Sequence, residues 1–225
     1  MQGHKIILKS KSNLLNRKFH IDEFTSKSEP SGIVLCFSGS GKTEESYHKY
    51  ERTVIPNFEK AWERLGQDLP IIFVYVTAPY DLQYSNFSAL PSEKERWNQH
   101  VEEEILVRWP DLPLYVIGIS GGILLALHGL HMNSRIVGIG GLGADNIPEN
   151  IEFPRRKDGE PAWYLNLYYN FNDNVYNSNQ SIVDKYCRDG VAVCNRFNGG
   201  HSTMDYIANM SFDGLIRFAI NRFKP

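Results

Sequence analysis

Cysteine is scarce in this chain. Cys36, Cys187 and Cys194 are the only three in 225 residues, and no C-x-x-C pair occurs. So sparse and odd a set supports neither a disulfide framework nor an all-cysteine zinc site. Long apolar runs are also missing. The N-terminal segment MQGHKIILKSKSNLLNRKF holds only Ile6-Ile7-Leu8, where a secretory signal carries roughly 7–15 apolar residues. No stretch reaches the roughly 18 apolar residues of a spanning helix. A soluble, cytoplasmic protein without a membrane span is the expectation. Charge of one sign is lacking too, with 24 basic against 26 acidic residues and a formal charge of −2. No basic run tracks a phosphate backbone, so no nucleic-acid partner is expected. The mixed stretch Arg155, Arg156, Lys157, Asp158 sits between Pro154 and Pro161 and reads as a solvated loop.

What is present is apolar content, 42% of 225 residues, enough to bury one core in a single domain over 1–225. No repeat or low-complexity tract interrupts it, and the composition leaves the oligomeric state open. Strand and helix signals alternate. Gly32-Ile33-Val34-Leu35-Cys36-Phe37, residues 70–76, Leu114-Tyr115-Val116-Ile117-Gly118, residues 135–140, residues 162–169 and residues 191–197 read as strands. Residues 70–76 are continuously apolar, as in a strand covered on both faces, and Leu114–Gly118 reads as another buried strand. Helices are expected at 44–66, at 97–109 before Pro110, at Ile123-Leu124-Leu125-Ala126-Leu127, at 181–187 and at 206–223. Such alternation predicts an α/β fold, a doubly wound and mostly parallel sheet with helices on both faces. Ligands of such sheets bind beyond the carboxyl ends of the strands.

Chemistry-bearing residues follow the strands there. Gly118-Ile119-Ser120-Gly121-Gly122 fits G-x-S-x-G and lies between a buried strand and a buried helix. A sharp strand-to-helix turn needs small residues around a strained serine and sets the hydroxyl at a helix N-terminus. The plainer alternative is a serine that only caps the helix. A serine nucleophile needs a base, and seven histidines compete. His201, in Asn198-Gly199-Gly200-His201-Ser202, lies between the last strand and the last helix. His4 and His20 fall in the polar N-terminal part, and His48 and His100 in helices. His128 and His131 have an i, i+3 spacing, but no carboxylate or cysteine cluster completes a metal set around them. For the acid, Asp173 in Asn172-Asp173-Asn174 follows one strand and Asp145 in Gly143-Ala144-Asp145 follows the strand before it. The chain order Ser120, Asp173, His201, each just after a strand, favours Asp173 over Asp145.

Gly118-Ile119-Ser120-Gly121-Gly122, Asp173-Asn174-Val175 and Gly199-Gly200-His201 together resemble the α/β-hydrolase superfamily, over about 33–223. The resemblance implies acyl transfer through an acyl-enzyme, without a cofactor. It also implies an oxyanion site made by the backbone N–H of Gly121 and a second N–H from the loop after the third strand. Ser38-Gly39-Ser40-Gly41 occupies that place with Ser38 where the family has histidine, and Ser40, or Gly39 one residue earlier, would donate.

The same loop sustains a rival from another class. Ser38-Gly39-Ser40-Gly41-Lys42-Thr43 after a strand is similar to a phosphate-binding P-loop, but the full pattern needs glycine where Cys36 stands. Glu44 and Glu45 then place negative charge where phosphates would lie, and no magnesium-binding aspartate ends the run at Val76. A catalytically inactive hydrolase fold, serving as a binding module, is the third reading. Specificity is expected from loops at 77–97 and 143–161, neither long enough for a large cap. Tyr168, Tyr169 and Phe171 fit either a substrate site or core. A small-molecule ester or thioester with an apolar acyl group is the expected substrate.

Overall fold

The computed structural model describes residues 6–11, 18–25, 28–39, 44–66, 68–76 and 98–224. Strands β1 (Ile6–Lys11) and β2 (Lys18–Thr25) precede β3 (Gly32–Phe37), helix α1 (Glu44–Leu65) and β4 (Ile71–Val76). There follow α2 (Val101–Ile105), β5 (Leu114–Ile119), α3 (Leu125–Leu130), β6 (Ile136–Leu142) and β7 (Leu165–Asn170). The chain continues with α4 (Asn174–Arg188), β8 (Ala192–Phe197), α5 (Thr203–Ala208) and α6 (Ser211–Phe223). Helices α2 and α3 are short and wound with the wider π spacing.

The sheet runs β1-β2-β4-β3-β5-β6-β7-β8. From β4 to β8 every pairing is parallel, while β1 on β2 and β2 on β4 are antiparallel. The expected mostly parallel sheet is present, with an antiparallel pair added at one edge by the polar N-terminal part. The reason is local. Phe19 and Ile21 alternate with His20 and Asp22, the pattern of an antiparallel strand rather than of the continuous apolar runs further on.

Alternation along the strands splits the core into two layers. Ile33, Leu35, Phe37, Val74 and Val116 face helices α2, α3 and α4 through Val101, Leu125, Leu127, Val183 and Tyr186. Val34, Cys36, Phe73, Tyr75 and Ile117 face α1, α5 and α6 through Val54, Phe58, Trp62, Tyr206, Phe212 and Leu215. Each such side chain removed from water stabilises the fold by roughly 1.5–3 kcal/mol, so the two layers lock the strands into one register.

Several elements differ from the sequence expectation, among them the helix expected at 97–109, which ends at Ile105. The strand expected at 162–169 starts only at Leu165, because Ala162 N–H donates to Pro154 O at 2.7 Å and Trp163 Nε1–H to His131 O at 3.0 Å. Those residues serve the loop before the strand. The helix expected at 181–187 begins seven residues earlier, at Asn174, with Asp173 as its N-cap. The closing helix is two helices, broken where Met210 takes a left-handed conformation, φ 66°.

Candidate active site

Ser120 follows β5 directly and opens the tight turn Ser120–Gly122. Its φ of 50° is a left-handed conformation that a non-glycine residue avoids at a cost of about 1 kcal/mol or more. Both glycines of the G-x-S-x-G pattern have identifiable steric reasons. A Cβ on Gly118 would stand 2.3 Å from both the Cα and the N of Ile123, where the chain doubles back. A Cβ on Gly122 would stand 2.4 Å from Ser38 O and 2.7 Å from Phe37 O, where the turn meets the loop after β3. Neither obstacle is a flexible side chain. Gly118→Ala is therefore expected to destabilise the protein by about 3 kcal/mol, read as a lowered denaturant midpoint at unchanged m-value.

Loops at the carboxyl ends of β7 and β8 bring the other two residues to Ser120. His201 Nε2 lies 3.1 Å from Ser120 Oγ, and His201 Nδ1 lies 2.8 Å from Asp173 Oδ2. Asp173 is 2% exposed, whereas the His201 side chain is 36% exposed. Asp173 is held by two further donors. Its Oδ1 accepts from Val175 N–H at 2.9 Å, the N-cap bond of α4, and its Oδ2 accepts from the Tyr206 hydroxyl. The histidine loop is tied back to β7. Asn170 Nδ2–H donates to Gly200 O at 2.8 Å and Asn172 N–H to Gly199 O at 3.2 Å. Asn209 Nδ2–H donates to Asn198 O at 3.1 Å and also to Asn170 Oδ1.

Asp145 takes another part. Its N–H donates to Ser120 O at 3.2 Å and its Oδ1 accepts from Asn146 N–H at 2.8 Å. Asp173, not Asp145, is the carboxylate bonded to the imidazole.

The electrostatics follow from these bonds. The hydrogen bond to Asp173 raises the His201 pKa above its ordinary value, burial opposing and the charges of Asp173 and Asp145 adding to the rise. For Asp173, burial alone would raise the carboxyl pKa; the bonds from His201, Tyr206 and the Val175 N–H outweigh it and hold the pKa below the ordinary value. Burial first, and then Asp173, pushes the Tyr206 phenol pKa upward. The Asp173 and His201 shifts act on stability in opposite pH windows. The Asp173 contribution is complete above the ordinary carboxyl range and is lost as pH falls through its depressed value. The His201 contribution is complete below its ordinary pKa and is lost as pH rises through the elevated one.

Sequence reasoning passed over three neighbours of this group. Gly143, φ 53°, lies against it so closely that a Cβ there would stand 2.7 Å from Tyr206 Oη, 2.8 Å from Asp173 Oδ2 and 3.0 Å from His201 Cε1. Asn170 and Tyr206 are the others. A signal for Tyr206 existed: Ser202 accepts from Asp205 N–H at 3.0 Å, a capping arrangement that starts α5 at Thr203. That start sets Tyr206 one turn into a helix adjoining His201.

Of the expected oxyanion donors, Gly121 is buried in the turn after Ser120, and Gly39 lies close to Ser120, its Cβ position 3.4 Å from Ser120 Cβ. Ser40 lies outside the described residues, as do Gly41, Lys42 and Thr43 of the P-loop-like stretch, residues 77–97 and the side chain of His128. In the loop 143–161, Phe153 is half-buried and packs against the core on Trp163 and Tyr186, with ring centroids 4.8 and 5.5 Å apart. Tyr168 and Tyr169 are core, and Phe171 is exposed. Among the described residues no group of three or more His, Cys, Asp or Glu is placed to hold a metal ion, and no helix is long and apolar enough to cross a membrane.

No protein-family model matches the sequence, and comparison with curated proteins gives no match. Solved structures are similar over nearly the whole chain. A ferulic acid esterase is 14% identical, with TM-score 0.67 and 99% of each chain covered. The S-formylglutathione hydrolase FrmB from Staphylococcus aureus is 13% identical, with TM-score 0.65 and 99% of each covered. A serine hydrolase without a lid from Xanthomonas campestris is 12% identical, with TM-score 0.65, covering 100% of this chain and 97% of the other. With the sheet order and strand-end loops described above, these likenesses establish that the chain has the α/β-hydrolase fold.

Proposed function

We propose that this chain is a serine hydrolase that cleaves a small-molecule carboxylic ester or thioester through an acyl-enzyme. The observation that carries the proposal is His201 bridging Ser120 at 3.1 Å and Asp173 at 2.8 Å through its two ring nitrogens. Asp173 accepts from Nδ1–H and so keeps the lone pair on Nε2, facing the serine hydroxyl. As Ser120 Oγ attacks the acyl carbon, Nε2 takes its proton and the carbonyl oxygen becomes an oxyanion. The N–H groups of Gly121 and of Ser40 or Gly39 are the proposed donors to it. Collapse expels an alcohol or thiol, which leaves with the proton from Nε2. Water then repeats the sequence on the acyl-serine and releases the acid. The balance of atoms requires no cofactor. The similar structures include one named for a ferulic acid ester and one named for S-formylglutathione, which supports both oxygen and sulfur leaving groups.

Labelling with a fluorophosphonate tests the proposal. The folded protein is expected to take up one label, on the peptide containing Ser120, and to lose reactivity when unfolded. Folded protein left unlabelled at Ser120 would indicate a binding module instead. Tight, saturable, Mg²⁺-dependent nucleotide binding would favour the P-loop alternative.

A further inference from the structure

Asp173 Oδ2 is asked to accept twice, from His201 Nδ1–H and from the hydroxyl of Tyr206. Tyr206 is 1% exposed. Its oxygen in turn receives Asn170 N–H at 3.4 Å, which fixes the direction of the O–H. Gly143, having no Cβ, leaves the space in which phenol, carboxylate and imidazole meet. The other charged or titratable groups acting on the cluster are Asp145 from the loop after β6, Tyr169 from β7 and Asp205 from α5 itself.

We infer that Tyr206 is a positioning residue of the hydrolase proposed above: it orients the Asp173 carboxylate toward His201 and limits how strongly that carboxylate raises the basicity of the imidazole. A second donor on Oδ2 draws negative charge away from the atom that stabilises the imidazolium. With the phenol O–H gone, Oδ2 becomes a stronger acceptor opposite Nδ1, and the carboxylate is held by Val175 N–H and His201 alone. A base whose pKa is too high is protonated, and therefore idle, over more of the working pH range.

Two variants test this. Tyr206→Phe is expected to move the acidic limb of kcat/KM to higher pH and to lower the plateau kcat about tenfold, with KM unchanged. Replacing Tyr206 with 3,5-difluorotyrosine, a stronger donor of nearly the same shape, is expected to move the limb the other way. The His201 imidazole titration, followed by NMR in the resting protein, is expected to shift in the same directions without any substrate. Loss of kcat or melting temperature with an unmoved imidazole titration in both variants would overturn the inference, leaving Tyr206 a packing residue. Opposed shifts of the titration together with no turnover of any ester would uphold the inference about Tyr206 while defeating the hydrolase proposal on which it rests.

Discussion

Ser120→Ala is expected to lower kcat toward an ester such as a p-nitrophenyl acylate by about a millionfold while the protein stays folded. The loss is large because the three groups act as one. Without Oγ, the His201 lone pair has no proton to take and no covalent intermediate forms, so only binding and oxyanion stabilisation remain. The fold survives because alanine keeps the Cβ, the backbone at φ 50° and every packing contact, giving up one bond that reaches a partly exposed imidazole. A melting point within a few degrees of the parent is therefore expected. Steady-state rates and circular dichroism on the same preparation check both halves. Undiminished hydrolysis would refute the nucleophile.

Asp173→Asn is expected to cost about ten-thousandfold in kcat. An amide NH2 turned toward His201 would meet Nδ1 as a donor and drive the ring proton to Nε2, the wrong nitrogen for taking a proton from serine. The pH profile carries a second signature. The main cause of the raised His201 pKa is its bond to Asp173, so the imidazole pKa in this variant falls and the acidic limb of the residual activity moves to lower pH. Stability changes with a sign that can be checked. Asp173 contributes above the ordinary carboxyl range through its depressed pKa, so parent and variant should differ most near neutrality. The gap should narrow as acid protonates the parent's carboxylate. Denaturant midpoints measured across that range would show it. An equal gap at every pH would mean that the aspartate acts through packing alone.

The sequence carried the parts of this site that are set by chain order. Ser120, Asp173 and His201 each follow a parallel strand, and parallel strands end along one edge of the sheet, so order along the chain became proximity in space. The sequence was weakest where asparagines do the work. Asn172-Asp173-Asn174 has no apolar period, so the helix was expected only from 181, although Asp173 caps α4 at its start while it holds the histidine. Asn170 and Asn209 are equally silent in a hydropathy pattern, yet their amides place the histidine loop. Tyr206 looked like one more apolar residue of a closing helix, because a phenol that packs by its ring and bonds by its oxygen shows only the first property in sequence. The break at Met210 was hidden for a related reason. Asn209 Oδ1 accepts from both the N–H and the hydroxyl of Ser211, at 3.1 and 2.6 Å, and this local bonding replaces the helical bonds.

That break makes α5 a short helix with its own attachments, and the segment around it carries both donors to Asp173 Oδ2. His201 stands just before α5 and Tyr206 within it. Any excursion that lifts this segment from β7 withdraws imidazole and phenol together and leaves a buried carboxylate with only the Val175 N–H. His201 and Tyr206 thus share one opening coordinate. This corner is therefore expected to open as a unit, with amide exchange along 201–209 proceeding as one cooperative event.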